Sequence, residues 1–195
     1  GGGKTRAGVV KALVYAGQHP GSLGMVTAPT FPMLRDATLR TLTEIFPPEA
    51  YVLHRSEMRV AMSNGAEILL RSTDEPEHLR GPNLAWVYMD EAARSPVEAF
   101  QILQGRLRQE GYPGQLWLTT TPKGYNWVYS EFGQRERDNY WSLRVSTRDN
   151  PYCPAGFVEK LEESYQDEAF RLQEVEGEFV ILGQRAFFDA EALKG

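Results

Sequence analysis

Long apolar runs are missing from this chain of 195 residues, and so is a charged-then-apolar leader ending in a small-residue cleavage site. Neither a membrane-spanning helix nor an export signal is expected, and a cytosolic protein is. Cysteine is reduced to Cys153, which excludes an internal disulfide. The three histidines, His19, His54 and His78, are scattered without ligand spacing, so no zinc site is expected. Positive charge is not in excess either. The formal net charge is -5, which gives no hint of the basic surface by which duplex-binding proteins meet phosphate.

What is present is ordinary for a globular protein: 42% hydrophobic and 24% charged residues, in a chain long enough for one domain with a small appendage. Apolar positions in Ala7 to Ala16 recur at helical spacing, with stop signals at Gly17 and Pro20. Ser22 to Ala28 reads as a strand, and Phe31 to Phe46 as a helix closed by Pro47 and Pro48. Two alternating runs flank Asn64-Gly65, a strong hairpin pattern. Leu84 to Met89 is apolar without alternation, as in a strand covered on both faces of a parallel sheet. A helical segment, Pro96 to Leu107, separates it from a second strand-like run, Gln115 to Thr121, and strand, helix, strand makes a parallel crossover. Tyr140 to Thr147 reads as one more strand. Past Asn150-Pro151 two charged amphipathic helices, Ala155 to Tyr165 and Glu168 to Val175, predict a helical appendage.

In open parallel sheets the ligand crevice lies beyond the carboxyl ends of the strands. Asp90-Glu91 follows the most apolar run, and two carboxylates beside a low-dielectric interior need a cation or hydrogen bonds in compensation. A metal-nucleotide site supplies both. The opening "GGGKTRAG" matches the last three fixed positions of the phosphate-binding loop G-x-x-x-x-G-K-[ST] at Gly3, Lys4 and Thr5, with the loop's first glycine and its feeding strand expected upstream of Gly1. In such a site the loop and helix N-terminus hold phosphates, Lys4 neutralises them, Thr5 Oγ and Asp90 bind Mg²⁺, and Glu91 acts as the base. The bland alternatives are an accidental helix start at Lys4 and an acidic first helical turn at Asp90-Glu91. Thr119, Thr120 and Thr121 end the neighbouring run; three threonines also suit a plain β-edge. Beside the carboxylates, a hydroxyl among them can contact the γ-phosphate or the attacking water.

Taken in order, "GGGKTRAG", "TAPTFPMLRD", "HLRGPNLAWVYMDEAA", "LTTTPKGYNWVY", "STRDNPYCP" and "EGEFV" resemble the ATPase domain of the large terminase subunit of tailed bacteriophages, over residues 1 to about 188. The resemblance implies an α/β fold: a P-loop NTPase core of the additional-strand, catalytic-glutamate type, mainly parallel, over 1–150, with a helical lid from 151 to 195. It implies ATP and Mg²⁺ as cofactors, with Gly1, Gly2, Gly3, Lys4, Thr5 and Arg6 in the Walker A loop, Asp90 and Glu91 in Walker B, and Thr119 to Thr121 in the coupling motif, Thr119 on the nucleotide side and Thr121 among the catalytic groups. Arg80, in "LRGP", is implied as a trans-acting finger, with Arg106 and Arg108 as competitors; a planar, always-charged guanidinium suits that task. The implied partners are double-stranded DNA, the portal protein, the small terminase subunit and further copies in a ring, at the procapsid in the host cytoplasm. The family's RNase H-like nuclease would begin about where this chain stops, so no nuclease activity is expected of it. Two other readings stand beside this one: a superfamily 2 helicase-like ATPase, since "DEAA" resembles its Asp-Glu box, and a silent truncated prophage fragment serving assembly or DNA binding.

Overall fold

The computed structural model describes residues 3–134 and 137–180. They fall in two compact units, Gly3–Thr120 and the residues from Thr121 onward. In the first, helix α1 (Lys4–Gln18) buries Val9, Ala12, Tyr15 and Ala16, the helical spacing expected of one core-facing stripe. It ends at His19, before Pro20, which cannot extend it. Strand β1 (Leu23–Ala28) follows, buried at all but its first residue.

The expected helix over 31–46 is present but irregular. A short α2 (Phe31–Met33), capped by the Thr30 hydroxyl, runs into a wide π-helical stretch, Leu34–Leu39, and then into α3 (Arg40–Ile45). Strands β2 (Tyr51–His54), β3 (Arg59–Met62) and β4 (Glu67–Ser72) form an antiparallel meander. Its second turn is the expected Asn64-Gly65 hairpin: Gly65 has φ 83°, and Asn64 Oδ1 accepts from Ala66 N–H at 3.0 Å. Strand β2 is an addition to the sequence reading, which stopped at the prolines before it.

Strand β5 (Trp86–Met89) is wholly buried, α4 (Val97–Arg106) returns from its end, and β6 (Gln115–Leu118) runs parallel beside it, completing the expected crossover. The six strands are ordered β2-β3-β4-β1-β5-β6, with β4, β1, β5 and β6 mutually parallel. Two glycines let large rings into this core. A Cβ on Gly8 would lie 2.2 Å from Tyr88 Cζ, and one on Gly24 would lie 1.9 Å from Trp86 Cε2. The absent side chains are thus what allows α1 to rest on Tyr88 and β1 on Trp86.

In the second unit, α5 (Phe157–Ser164) and α6 (Glu168–Arg171) lie where the amphipathic pattern placed helices. The latter continues into a π-helical turn, Leu172–Glu176. The strand expected over 140–147 is not formed. A strand needs a neighbour for its N–H and C=O groups, and among the described residues none pairs with this stretch; Trp141 and Leu143 are each 75% exposed. Its end is drawn into a different local structure: Ser146 and Asp149 form a reciprocal capping box around the turn Thr147–Asp149. Among the described residues no helix is long and apolar enough to cross a membrane.

Candidate active site

Three neighbouring features of the first unit bring polar groups to one point. Asp90 follows the last residue of β5, Thr119 follows that of β6, and α1 begins at Lys4 and Thr5. Asp90 is 3% exposed, so its carboxylate has lost nearly all contact with water. Protein donors replace it. Oδ1 accepts from Thr5 Oγ1 at 3.1 Å, from Thr119 Oγ1 at 2.8 Å and from Glu91 N–H at 3.1 Å, while Oδ2 accepts from Thr38 Oγ1 at 2.8 Å. Hydrogen bonds to an ionised acceptor are the strong kind, which makes burial of this carboxylate tolerable.

A second layer stands behind Thr119. Its single hydroxyl proton goes to Asp90, so the 2.8 Å contact between Thr119 Oγ1 and Tyr88 OH has Tyr88 as donor. Burial first, then the Asp90 charge, push the Tyr88 phenol well above its ordinary pKa, which keeps that proton in place. Tyr88 stacks on Trp117, whose indole N–H donates to the Gly8 carbonyl of α1 at 3.2 Å.

Glu91 is half-buried and left-handed, with φ 50° and ψ 43°. For a residue other than glycine this costs about 1–3 kcal/mol and persists only where the surroundings enforce it. Here β6 supplies the enforcement: Thr119 O accepts from Ala92 N–H at 3.0 Å and Thr120 Oγ1 accepts from Ala93 N–H at 3.0 Å. Farther along, Ser95 Oγ accepts from buried Thr73 Oγ1 at 2.8 Å, tying this turn to the end of β4.

Most of the residues picked from sequence can be placed. Thr5, Asp90, Glu91 and Thr119 come together as described. Lys4 is half-buried in the first turn of α1 and Arg6 is exposed beside it, behind Gly3 with φ 71°. Among the described residues Lys4 has no ion-pair partner. Gly1 and Gly2 lie outside the described residues. Thr121 opens the second unit. Arg80 is exposed on the loop before β5, where its Nε donates to Glu77 Oε2 at 2.7 Å. Of its competitors, Arg106 ends α4 half-buried and Arg108 donates to Asn83 Oδ1 at 2.7 Å. Sequence reasoning missed Thr38, Tyr88 and the separate task of Thr120. Thr38 left a trace, a lone hydroxyl four residues from Leu34 and four from Leu42 on the buried side of its helix.

The donor set can be tested against a magnesium ion. Mg²⁺ prefers hard oxygen ligands and keeps most of its shell as water and phosphate, needing only one or two protein carboxylates. A carboxylate with a hydroxyl 3.1 Å away, at the start of a helix whose free N–H groups favour anions, fits that need. Among the described residues no three His, Cys, Asp or Glu side chains gather into a metal cluster.

A family model described as phage terminase large subunit matches residues 42–178. The large terminase subunit of Thermus phage G20c is 30% identical over 151 residues, which covers 67% of this chain and 31% of that protein. The large terminase of another thermophilic bacteriophage, solved in complex with ADP, superposes with a TM-score of 0.79 at 19% identity, over 89% of this chain and 44% of that one. The ATPase domain of the Thermus phage P74-26 large terminase superposes with a TM-score of 0.70 at 24% identity, over 92% of this chain and 85% of that domain. The chain thus spans less than half the length of the curated relatives it matches. Its fold is the P-loop NTPase fold expected from the motifs, and nothing in the comparisons favours a helicase. With the family model spanning well over half of its residues, the chain belongs to the phage terminase large subunit family.

Proposed function

We propose that this chain is the ATP-hydrolysing part of a motor that drives double-stranded DNA into a phage procapsid. The observation that carries the reading is the meeting of Thr5 and Asp90, 85 positions apart in sequence, at 3.1 Å. A loop hydroxyl and a strand-end carboxylate side by side are what metal-nucleotide chemistry in P-loop NTPases requires. Bound there, Mg²⁺ would be held by Thr5 and Asp90 and would supply neutralisation of the phosphate charge. Lys4, with Gly3 and the first turn of α1, receives the β- and γ-phosphates; Gly1, Gly2 and Arg6 belong to the same loop in this proposal. Glu91 takes the proton of the attacking water, and its enforced backbone geometry serves to fix where that proton is accepted. Thr119 and Thr120 join the metal-side acid and the base to the end of β6, so a change at the nucleotide is felt by the strand that leads into Thr121-Pro122-Lys123, the proposed coupling segment.

The wider assignment rests on family membership. It comprises ATP as substrate, the portal protein and small terminase subunit as partners, a ring of copies on the procapsid in the host cytoplasm, and a division into a core to 150 with a helical lid from 151. Arg80 is proposed as the finger that reaches a neighbour's nucleotide, for which its exposed pair with Glu77 would have to open; solvent-exposed pairs of this kind open at little cost. No nuclease chemistry is proposed for these residues.

Glu91→Gln in the full-length protein tests the reading. ATP turnover should fall by about 10²-fold or more while nucleotide binding persists, as for loss of a general base. Mixing that variant with Arg80→Ala subunits in the same assay checks the finger in trans, through recovery of turnover in the mixed ring. Unchanged turnover in Glu91→Gln would remove Glu91 from the chemistry.

A further inference from the structure

The four donors to Asp90 are unevenly shared. Thr5, Thr119 and the Glu91 N–H all converge on Oδ1, and among the described residues Thr38 alone serves Oδ2. Thr38 is 1% exposed and lies two residues past the end of the "TAPTFPMLRD" motif. It stands in the π-helical stretch Leu34–Leu39, and the buried residues of this helix are Leu34, Thr38, Leu39 and Leu42. In a regular α-helix, at about 100° per residue, Leu39 would be turned roughly 140° away from Leu34. The wider turn brings positions 38 and 39 to the buried side together, so the apolar stripe is kept while one hydroxyl is delivered to the carboxylate. Wide turns of this type are rare and concentrate at functional sites.

We propose that Thr38 is a positioning residue: by holding Oδ2 of Asp90 it fixes the carboxylate plane, so that Oδ1, with the Thr5 hydroxyl beside it, is the edge offered to a metal-nucleotide. The inference rests on the metal-nucleotide reading of this site. A carboxylate turns about its terminal side-chain bond through a broad, soft range of angles. Turning about that bond swings both oxygens, so the three donors on Oδ1 already resist it, and Thr38 adds a restraint on the opposite oxygen from a separate element. Valine in place of Thr38 keeps the shape and removes the donor, leaving a buried carboxylate oxygen unpaired. Serine keeps the donor and loses a methyl group.

The experiment compares Thr38→Val and Thr38→Ser with the unaltered full-length protein, by titrating Mn²⁺ or Mg²⁺ into protein with a fluorescent ADP and by measuring ATP turnover at saturating metal. Thr38→Val should raise the metal concentration for half-maximal nucleotide binding by about 10-fold and lower kcat by about as much, the effect typical of removing a partner that orients a metal ligand. Metal-free ADP affinity should be unchanged, and Thr38→Ser should restore both quantities to within about 2-fold of the unaltered protein. Thr38→Ala is measured in the same way if the valine variant does not fold. A merely structural role would lower the melting temperature and leave the metal requirement alone, and that result overturns the proposal. So does a serine variant as impaired as the valine one. If the unaltered protein shows no metal-dependent nucleotide binding, the function proposed above fails and this inference with it; failure confined to the Thr38 variants leaves that function standing.

Discussion

The unit Gly3–Thr120 is built around a large buried core, whereas the described residues from Thr121 onward bury few apolar side chains and add aromatic contacts and ion pairs. In the first, Trp86, Tyr88, Met25, Leu34 and Ile68 are fully enclosed, and of the polar groups taken inside, Asp90 and Thr38 satisfy each other. In the second, the buried apolar residues among those described are Val128, Val158 and Val175, while Trp141, Leu143 and Tyr152 stand in solvent. Tyr129 meets the rings of Tyr125 and Phe179, Tyr165 meets Phe170, Arg148 meets Glu162 of α5 and Glu176 of the last helical turn, and Arg171 meets Glu162 at 3.2 Å. Catalytic geometry needs fixed positions, and fixed positions come from packing: the buried unit carries the carboxylate network.

That contrast breaks most visibly at Gly8. Gly8→Ala drives a methyl group into the enclosed ring of Tyr88, 2.2 Å from Cζ, so the ring, α1 or the sheet must shift. A loss of about 3 kcal/mol in the stability of the first unit is expected, at the upper end of overpacking penalties. Urea denaturation followed by the fluorescence of Trp86 and Trp117 measures it; an unchanged midpoint would mean that α1 is loosely seated. Because Tyr88 donates to Thr119, nucleotide turnover should fall with it.

Acid sharpens the comparison from the other side, with a smaller effect. Hydrogen bonding to Arg148, and then to Arg171, holds the Glu162 carboxyl below the ordinary range; the Ser146 hydroxyl first, and then Arg148, do the same for Glu176. Both groups bind protons less readily folded than unfolded. Their contribution is therefore complete above the ordinary glutamate pKa of about 4.3 and is lost as pH falls through the lowered folded values. Hydrogen exchange of α5 amides should hold constant from pH 7 to about 5, once corrected for intrinsic exchange, and quicken below about 4, while α1 amides remain protected over the same range. Arg148→Ala should narrow the difference between neutral and acid α5 protection, with Arg171 still holding Glu162 low. Equal acid response in α1 and α5 would erase the distinction between the units.

The same division explains what could be read from the amino acids. Helix α1, the Asn64-Gly65 hairpin and the β5-α4-β6 crossover were legible because each has its own periodicity and end signals. That Asp90 and Thr5 would meet could be read because their signals are local: a glycine-led Lys-Thr, and acids ending an apolar run. Thr38 was not, since its task is set by a helix irregularity and by a partner 52 positions away. Tyr88 passed as one more strand residue, its hydroxyl role visible only with Thr119 alongside. The stretch 140–147 has the composition of a strand, but composition cannot provide a pairing neighbour, and the Ser146-Asp149 capping box took its end instead.

In the proposed site Thr5 and Asp90 grip a single metal-nucleotide, and a double-mutant cycle on Mg²⁺-dependent ADP affinity tests that directly. Thr5→Val and Asp90→Asn should each weaken the Mg²⁺-dependent part of binding by about 10-fold or more, and the double variant should be little worse than the weaker single one, as for residues that share a partner. Losses that simply multiply, or affinities indifferent to either change, would contradict it.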